Sequence, residues 1–364
     1  MTDTVRTLAP YMNSAPAPGF LSGMFAVTDM SYMNSEKVRW DVQRDDEDVA
    51  FPLTAPDTGS YHNRDDQFDD KQVTPPPYGE KFTISASSLG KERTLGRTEY
   101  EDPGFIREAN ERAAYMTGRL MRKLRRGMEL QASQVLTLVD GINLVNSSNV
   151  SVYTLDYAAK ATHFPNAGTA WSSATFAQMI TDLQSLADVI RNDGLSDPRR
   201  IIMGTQSFEL FAAAAEASTA KRFDNRRSDR GELFPLTNPG TGGGQYRGTI
   251  DLGNFKLDIW TYGARYKHPY SGTKTLYIPN DKVIMLSDNM GFETVFGRVF
   301  LFDNGLPRPL PQLRARARMV EQGMDIFYNN WTELNGSGVT VELLSRPLCI
   351  PKGIDTFGTL DTGI

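Results

Sequence analysis

The chain has 364 residues, 40% hydrophobic and 23% charged, with a net charge of −5. That balance belongs to a globular protein with apolar mass for two cores, argues against general nucleic-acid affinity, and contains no apolar run near the roughly 18 residues of a transmembrane helix. A single cysteine, Cys349, excludes an internal disulfide framework and any cysteine-based zinc site, and fits a reducing compartment.

The first residues, MTDTVRTLAPYMNSAPAPGF, carry neither a basic n-region nor an apolar h-region, so no secretory signal is expected. Residues 1–35 are rich in Pro, Ala, Ser, Gly and Met, with Phe20, Leu21, Met24 and Phe25 as apolar anchors. Such a segment builds no core alone and reads as an arm that docks on something else. Two β-rich runs, Val38–Val42 and Val49–Leu53, flank the string Arg44-Asp45-Asp46-Glu47-Asp48 and are expected to form a strand pair. Residues 54–81 are too polar and proline-rich for core. From Asp41 to Lys71 ten acids face three bases, so the excursion is either a solvated acidic loop or a long two-stranded flap across a neighbouring molecule. Its aromatics Trp40, Phe51, Tyr61 and Phe68 suit an interface better than base stacking.

Phe82–Ile84 is a short strand candidate, and Asp102-Pro103 is a helix start. From Phe105 to Val139 the apolar residues Ile106, Ala109, Ala113, Met116, Leu120, Leu124, Met128, Ala132, Val135 and Val139 recur at steps of three and four, one stripe of a helix about 50 Å long. Gly118 and Gly127 each cost such a helix about 1 kcal/mol against Ala, so it depends on tertiary packing. Phe105–Arg126 holds seven bases against two acids, which makes the other side, with Arg112, Arg119, Arg122, Lys123 and Arg126, either a solvated face or a surface for an acidic partner.

Beyond Gly141, Val150–Leu155 alternates as a strand. Ser173 is expected to cap an amphipathic helix through Phe176, Ile180, Leu183, Leu186, Ala187 and Ile190 that Asn192-Asp193-Gly194 closes. A buried strand, Arg199–Gly204, precedes a helix capped by Thr205 or Ser207, an order that predicts a small α/β layer structure. Residues 221–248 form a charged, then glycine-rich excursion. β-type runs follow at Thr249–Asp251, Phe255–Tyr262, Thr275–Ile278, Lys282–Leu286, Thr294–Phe302, Leu313–Glu321, Ile326–Trp331 and Val339–Leu344.

No catalytic constellation emerges. Gly240–Gly244 is followed by Gln245-Tyr246, not by the Lys-Ser/Thr of a phosphate loop. The three histidines, His62, His163 and His268, lack metal-ligand spacing, and the paired aspartates lack a desolvating pocket. No cofactor and no enzymatic activity are expected. An anchored arm, an acidic flap, a beam-like helix and long surface loops point instead to self-assembly, because such elements bury large areas between copies. A structural protein that assembles rings or tubes in place of closed shells is the competing class.

Several segments carry a resemblance: Pro18-Gly19-Phe20-Leu21 before Phe25, KVRWDV followed by AFPL, RRIIMGTQSFELF, FKLDIWTYGARY with YIPNDKVIML, and VTVELLSRPLCIP. In order, over residues 18 to about 351, they resemble the major capsid proteins of tailed phages, the family of the lambda phage capsid protein. The resemblance implies the α+β Hong Kong 97-like capsid fold: an N-terminal arm (1–35), an extended β-hairpin loop (36–85), a peripheral domain (86–164) with a spine helix at 103–140, an axial α/β domain (165–324), and a return to the peripheral domain with the C-terminal tail (325–364). The peripheral sheet would use Val150–Leu155 and strands from about 325 to 350. It further implies a major head protein that self-assembles as hexamers and pentamers into an icosahedral shell around double-stranded DNA bound non-specifically, with scaffold, portal and cementing proteins as possible partners and no membrane. Assembly would take place in the host cytoplasm and the protein would reside in the virion capsid. From the charges, the acidic flap of one subunit is expected to rest near the basic side of a neighbour's spine helix, and the expected inter-subunit contacts are Phe20, Leu21 and Phe25 in the arm; Trp40, Arg44, Asp45, Asp46, Glu47, Tyr61, Asp65 and Asp66 in the loop; and Arg112, Arg119, Arg122, Lys123 and Arg126 on the helix.

Overall fold

The computed structural model describes residues 19–33, 37–42, 69–85, 103–218, 223–224, 243–299, 326–332 and 338–364. One helix, α1 (Pro103–Thr137), runs the length that the periodicity predicts. Its stripe has two customers. Leu120, Met121 and Leu124 pack with Ile326 and Leu343, on a three-stranded antiparallel sheet ordered β14 (Phe327–Thr332), β15 (Gly338–Ser345), β3 (Tyr78–Ser85). About two to three turns further on, Ala132, Val135 and Leu136 join a second core with Ile202, Ile284, Leu286 and Phe357. A 35-residue helix is therefore long because it bridges two sheets.

The second of these sheets has six strands, ordered β17 (Phe357–Asp361), β12 (Lys282–Ser287), β6 (Pro198–Met203), β9 (Lys256–Tyr262), β8 (Gly244–Asp251) and β7 (Phe223–Asp224). Only β6 and β9 run parallel; the other ladders are antiparallel. Residues alternate between its faces, as a strand requires. Ile202, Ile284 and Leu286 meet α1, while Ile201, Met203, Leu257, Ile259, Val283 and Met285 meet α2 (Phe176–Gly194) and α3 (Thr205–Ala217).

Buried polar side chains of α1 fasten it to its neighbours. The Gln131 amide donates to Pro347 O (3.2 Å) and the Tyr78 hydroxyl (2.9 Å). Ser133 donates to Tyr277 O, and Thr359 donates to Leu136 O (2.5 Å). Smaller ribbons complete the fold: β1 (Val38–Val42) with β2 (Asp69–Val73), β4 (Ile142–Val145) with β5 (Ser151–Leu155), β10 (Arg265–Lys267) with β11 (Lys274–Leu276), and β13 (Phe292–Phe296) with β16 (Pro347–Pro351).

Several sequence expectations are corrected. Val38–Val42 pairs with Asp69–Val73, and its expected partner Val49–Leu53 lies outside the described residues. Tyr78–Ser85 is a full strand of the three-stranded sheet, whereas Val150–Leu155 belongs to its own ribbon. Within the segment 325–364, the C-terminal Phe357–Asp361 is the edge of the six-stranded sheet, held by β12. Thr175, not Ser173, caps α2, sharing a capping box with Gln178. At the other end of α2 the left-handed residue is Leu195 (φ 46°); Gly194 is required because a Cβ there would run into the Asp355 backbone. The run expected at Thr294–Phe302 is the strand Phe292–Phe296, and Leu313–Glu321 lies outside the described residues.

Candidate assembly surfaces

The arm segment 19–33 lies on its own chain. Phe20 packs between Trp260 and Tyr262 (ring centroids 5.8 and 5.2 Å), Leu21 is fully buried, and Phe25 stacks on Phe292 at 4.9 Å. These three residues are buried within the subunit, Phe20 retaining 7% and Phe25 2% of its exposure. The segment also runs beside β13 as a partial third strand, with Ala26 N donating to Phe292 O (2.9 Å), Thr294 N to Ala26 O (3.0 Å) and Met33 N to Phe296 O (2.9 Å).

Two buried carboxylates hold the arm. Glu129 of α1 accepts from Leu21 N (2.9 Å), Ser22 N (2.9 Å), the Ser22 hydroxyl (2.7 Å) and the Tyr262 hydroxyl (2.7 Å). The two backbone donors open the single 3-10 turn Ser22–Met24, where unpaired N–H groups favour an anion. Glu293 of β13 accepts from the Ser31 hydroxyl (2.7 Å) and pairs with Lys352. Burial raises the Glu293 carboxyl, but the Lys352 ammonium and the Ser31 hydroxyl outweigh it and hold the group below its usual value. The sequence reading missed Glu129, although a signal was present: it is the only acid between Glu111 and Asp140.

The acidic hairpin is rooted by Val38, which is buried, and Val73, which packs against the main core. Its register sets Asp41 opposite Asp70. Arg44, Asp45, Asp46, Glu47, Tyr61, Asp65 and Asp66 lie outside the described residues, as does the side chain of Trp40.

On α1, Arg119, Lys123 and Arg126 are exposed, and Arg112 and Arg122 are half-buried. Lys123 is partly satisfied within the chain by Glu80 of β3 (3.0 Å), both side chains being well exposed. Arg119, Arg122 and Arg126 have no acidic side chain within salt-bridge distance among the described residues. Val139, expected at the end of the apolar stripe, lies beyond the helix and is exposed.

The remaining candidates for chemistry are structural. Cys349 is fully buried, which pushes its thiol up to about 12. His163 is buried with Nδ1 at 2.8 Å from Phe357 O and Nε2 at 3.1 Å from Asp193, joining a turn, α2 and β17. No group of three or more metal-ligating side chains occurs among the described residues.

No curated protein matches the chain in sequence. Solved structures do resemble it. A prophage protein of E. coli CFT073 assigned as a capsid protein has a TM-score of 0.61 at 15% identity, covering 98% of both chains. A phage-related protein of Bordetella bronchiseptica RB50 has a TM-score of 0.50 at 10% identity, covering 98% of this chain and 96% of its own. At such identities the likeness speaks for the fold, the Hong Kong 97-like capsid fold. The family model described as phage major capsid protein E matches residues 4–360, a span that takes in the arm, the acidic hairpin, the beam helix and both sheets. The chain therefore belongs to the phage major capsid protein E family and builds the shell of a phage head.

Proposed function

We propose that copies of this chain close an icosahedral shell, as hexamers and pentamers, by laying the acidic hairpin of one subunit over the basic side of α1 in the next. In this reading α1 with the three-stranded sheet forms the peripheral part of the subunit, and the six-stranded sheet with α2 and α3 forms the axial part. The observation that carries it is a pair of complementary surpluses. Asp41 and Asp70 are register partners at the root of an excursion whose outer sequence is more acidic still, and Arg119, Arg122 and Arg126 sit on a helix face with no acidic partner among the described residues.

Asp45, Asp46, Glu47, Asp65 and Asp66 would meet Arg112, Arg119, Arg122, Lys123 and Arg126 of the neighbour, with Trp40, Arg44 and Tyr61 at the same contact. Each exposed pair is worth only ~0–1 kcal/mol, so the charges set register and apolar burial supplies affinity. Double-stranded DNA would fill the shell, assembly would run in the host cytoplasm, and scaffold, portal and cementing proteins are the further partners. Negative-stain microscopy of Arg119→Glu/Arg122→Glu tests the contact: dispersed subunits or capsomers support it, and shells in wild-type yield refute it.

A further inference from the structure

Of the six register pairs between charged residues in the described ladders, four are of opposite sign. Lys81 faces Glu342, Arg200 faces Asp258, Lys256 faces Asp251 and Lys282 faces Asp361. The other two are of like sign: Asp41 with Asp70 in β1–β2, and Lys267 with Lys274 in β10–β11. Like charges directly opposite each other weaken a ribbon. A two-stranded ribbon has little else to hold it, so such a pair is costly in the isolated subunit.

The basic ribbon is preformed. His268 N donates to Thr273 O (2.8 Å) and Gly272 N to His268 O (3.0 Å), with Gly272 at φ +67° where a side chain is disfavoured. Arg265, Lys267 and Lys274 are exposed, and by register they share one face of the ribbon. Tyr266, on the other face, stacks on Tyr277 at 5.0 Å. No acid occurs between Asp258 and Asp281, and Lys267 and Lys274 form no ion pair among the described residues.

Its root adjoins the basic side of α1. The Tyr277 hydroxyl, one residue past β11, donates to Arg126 O (3.5 Å), and Ser133 donates to Tyr277 O. The ribbon is thus rooted on the same stretch of α1 that carries Arg126.

We propose that β10–β11 is the far end of the surface that receives the acidic hairpin of a second copy, with Lys267 and Lys274 opposing Asp41 and Asp70 of that copy. This rests on the reading of α1 given above. Each ribbon then brings a like-charged register pair to the opposite charges of the other. The sign symmetry favours a protein partner over a nucleic acid, which would need the basic ribbon but would give no reason for Asp41 to face Asp70.

The test compares Lys267→Glu/Lys274→Glu, Asp41→Lys/Asp70→Lys and the fourfold variant for shell yield at low salt, alongside the melting of the unassembled subunit. Each double variant is expected to raise the concentration needed for assembly about tenfold, given several weakened exposed pairs per contact. Subunit melting should stay unchanged, and the fourfold variant should recover assembly. Wild-type yield from the Lys267→Glu/Lys274→Glu variant overturns the proposal while leaving the α1 contact standing. Normal shells that retain less DNA overturn it in favour of a polyanion surface. Failure of the fourfold variant to recover, with its subunit melting normally, overturns the pairing of these two ribbons. A lowered melting temperature in either double variant marks a contact within one chain and overturns it as well.

Discussion

The carboxylate of Glu129 lies 2.7 Å from the hydroxyl of Tyr262, and this contact is the keystone of the arm. Burial first, then the neighbouring Glu129 carboxylate, drives the Tyr262 hydroxyl far above its usual pKa, so it stays a donor at any working pH. With Leu21 N, Ser22 N and the Ser22 hydroxyl, it gives both carboxylate oxygens two donors each and ties helix, sheet and arm at one point.

Replacing Glu129 by Ala leaves buried donors unsatisfied, at about 1–3 kcal/mol each where water cannot reach them. A loss of about 3 kcal/mol or more is expected in urea unfolding, together with protease cleavage of the arm under native conditions. Glu129→Gln is expected to be nearly as damaging, because its amide nitrogen would face two donors where an acceptor is needed. Wild-type stability of the Gln variant would show that the contact is not acting as an anion site.

The two glycines of α1 should respond in opposite directions. A Cβ at Gly118 meets nothing within 4 Å among the described residues, so Gly118→Ala is expected to stabilise the helix by about 0.5–1 kcal/mol. A Cβ at Gly127 would sit 2.8 Å from the Tyr78 ring, whose hydroxyl is held by Gln131, so Gly127→Ala is expected to destabilise by about 1–3 kcal/mol. Thermal melts of the two variants check the sign of each.

Acid should loosen the arm and the sheet edge together. Glu293 sits below its usual carboxylate value despite its burial. So does Asp361, where burial is outweighed by Lys282 (2.6 Å) and by the Gly363 N–H (3.0 Å). A carboxyl depressed in the folded state contributes stability that is present above its unfolded pKa and lost as pH falls through the folded value. The melting temperature is therefore expected to fall between about pH 5 and pH 3, and Glu293→Gln should flatten part of that slope.

Cys349 is expected to be silent toward thiol reagents. Its thiol, pushed up to about 12 by burial, holds almost no thiolate at pH 8, and it is enclosed between Thr294 and Met128 O. Reaction with a chromogenic disulfide should follow the unfolding rate; fast labelling of the folded subunit would contradict the burial.

What the sequence determined by itself was local. Steps of three and four in Leu120, Leu124, Met128, Ala132 and Val135 placed α1, and the stripe from Phe176 to Ile190 placed α2. The run Arg199–Gly204, with Ile201, Ile202 and Met203, placed a buried strand, because side-chain periodicity follows directly from backbone geometry. The ordered motifs also carried the family. Only the tertiary structure decided the partners. Val38–Val42 pairs across 27 residues or more with Asp69–Val73, and Leu21 reaches Glu129 from 108 positions away. The arm residues Phe20, Leu21 and Phe25 are buried within the subunit, and Phe357–Asp361 closes the edge of the large sheet. A composition shows that a segment needs a partner, but the choice among partners is made by summed burial and hydrogen bonding between distant segments, which no local window contains. The like-charged pairs Asp41 with Asp70 and Lys267 with Lys274 are of the same kind: every residue was legible, and only the register made them opposites.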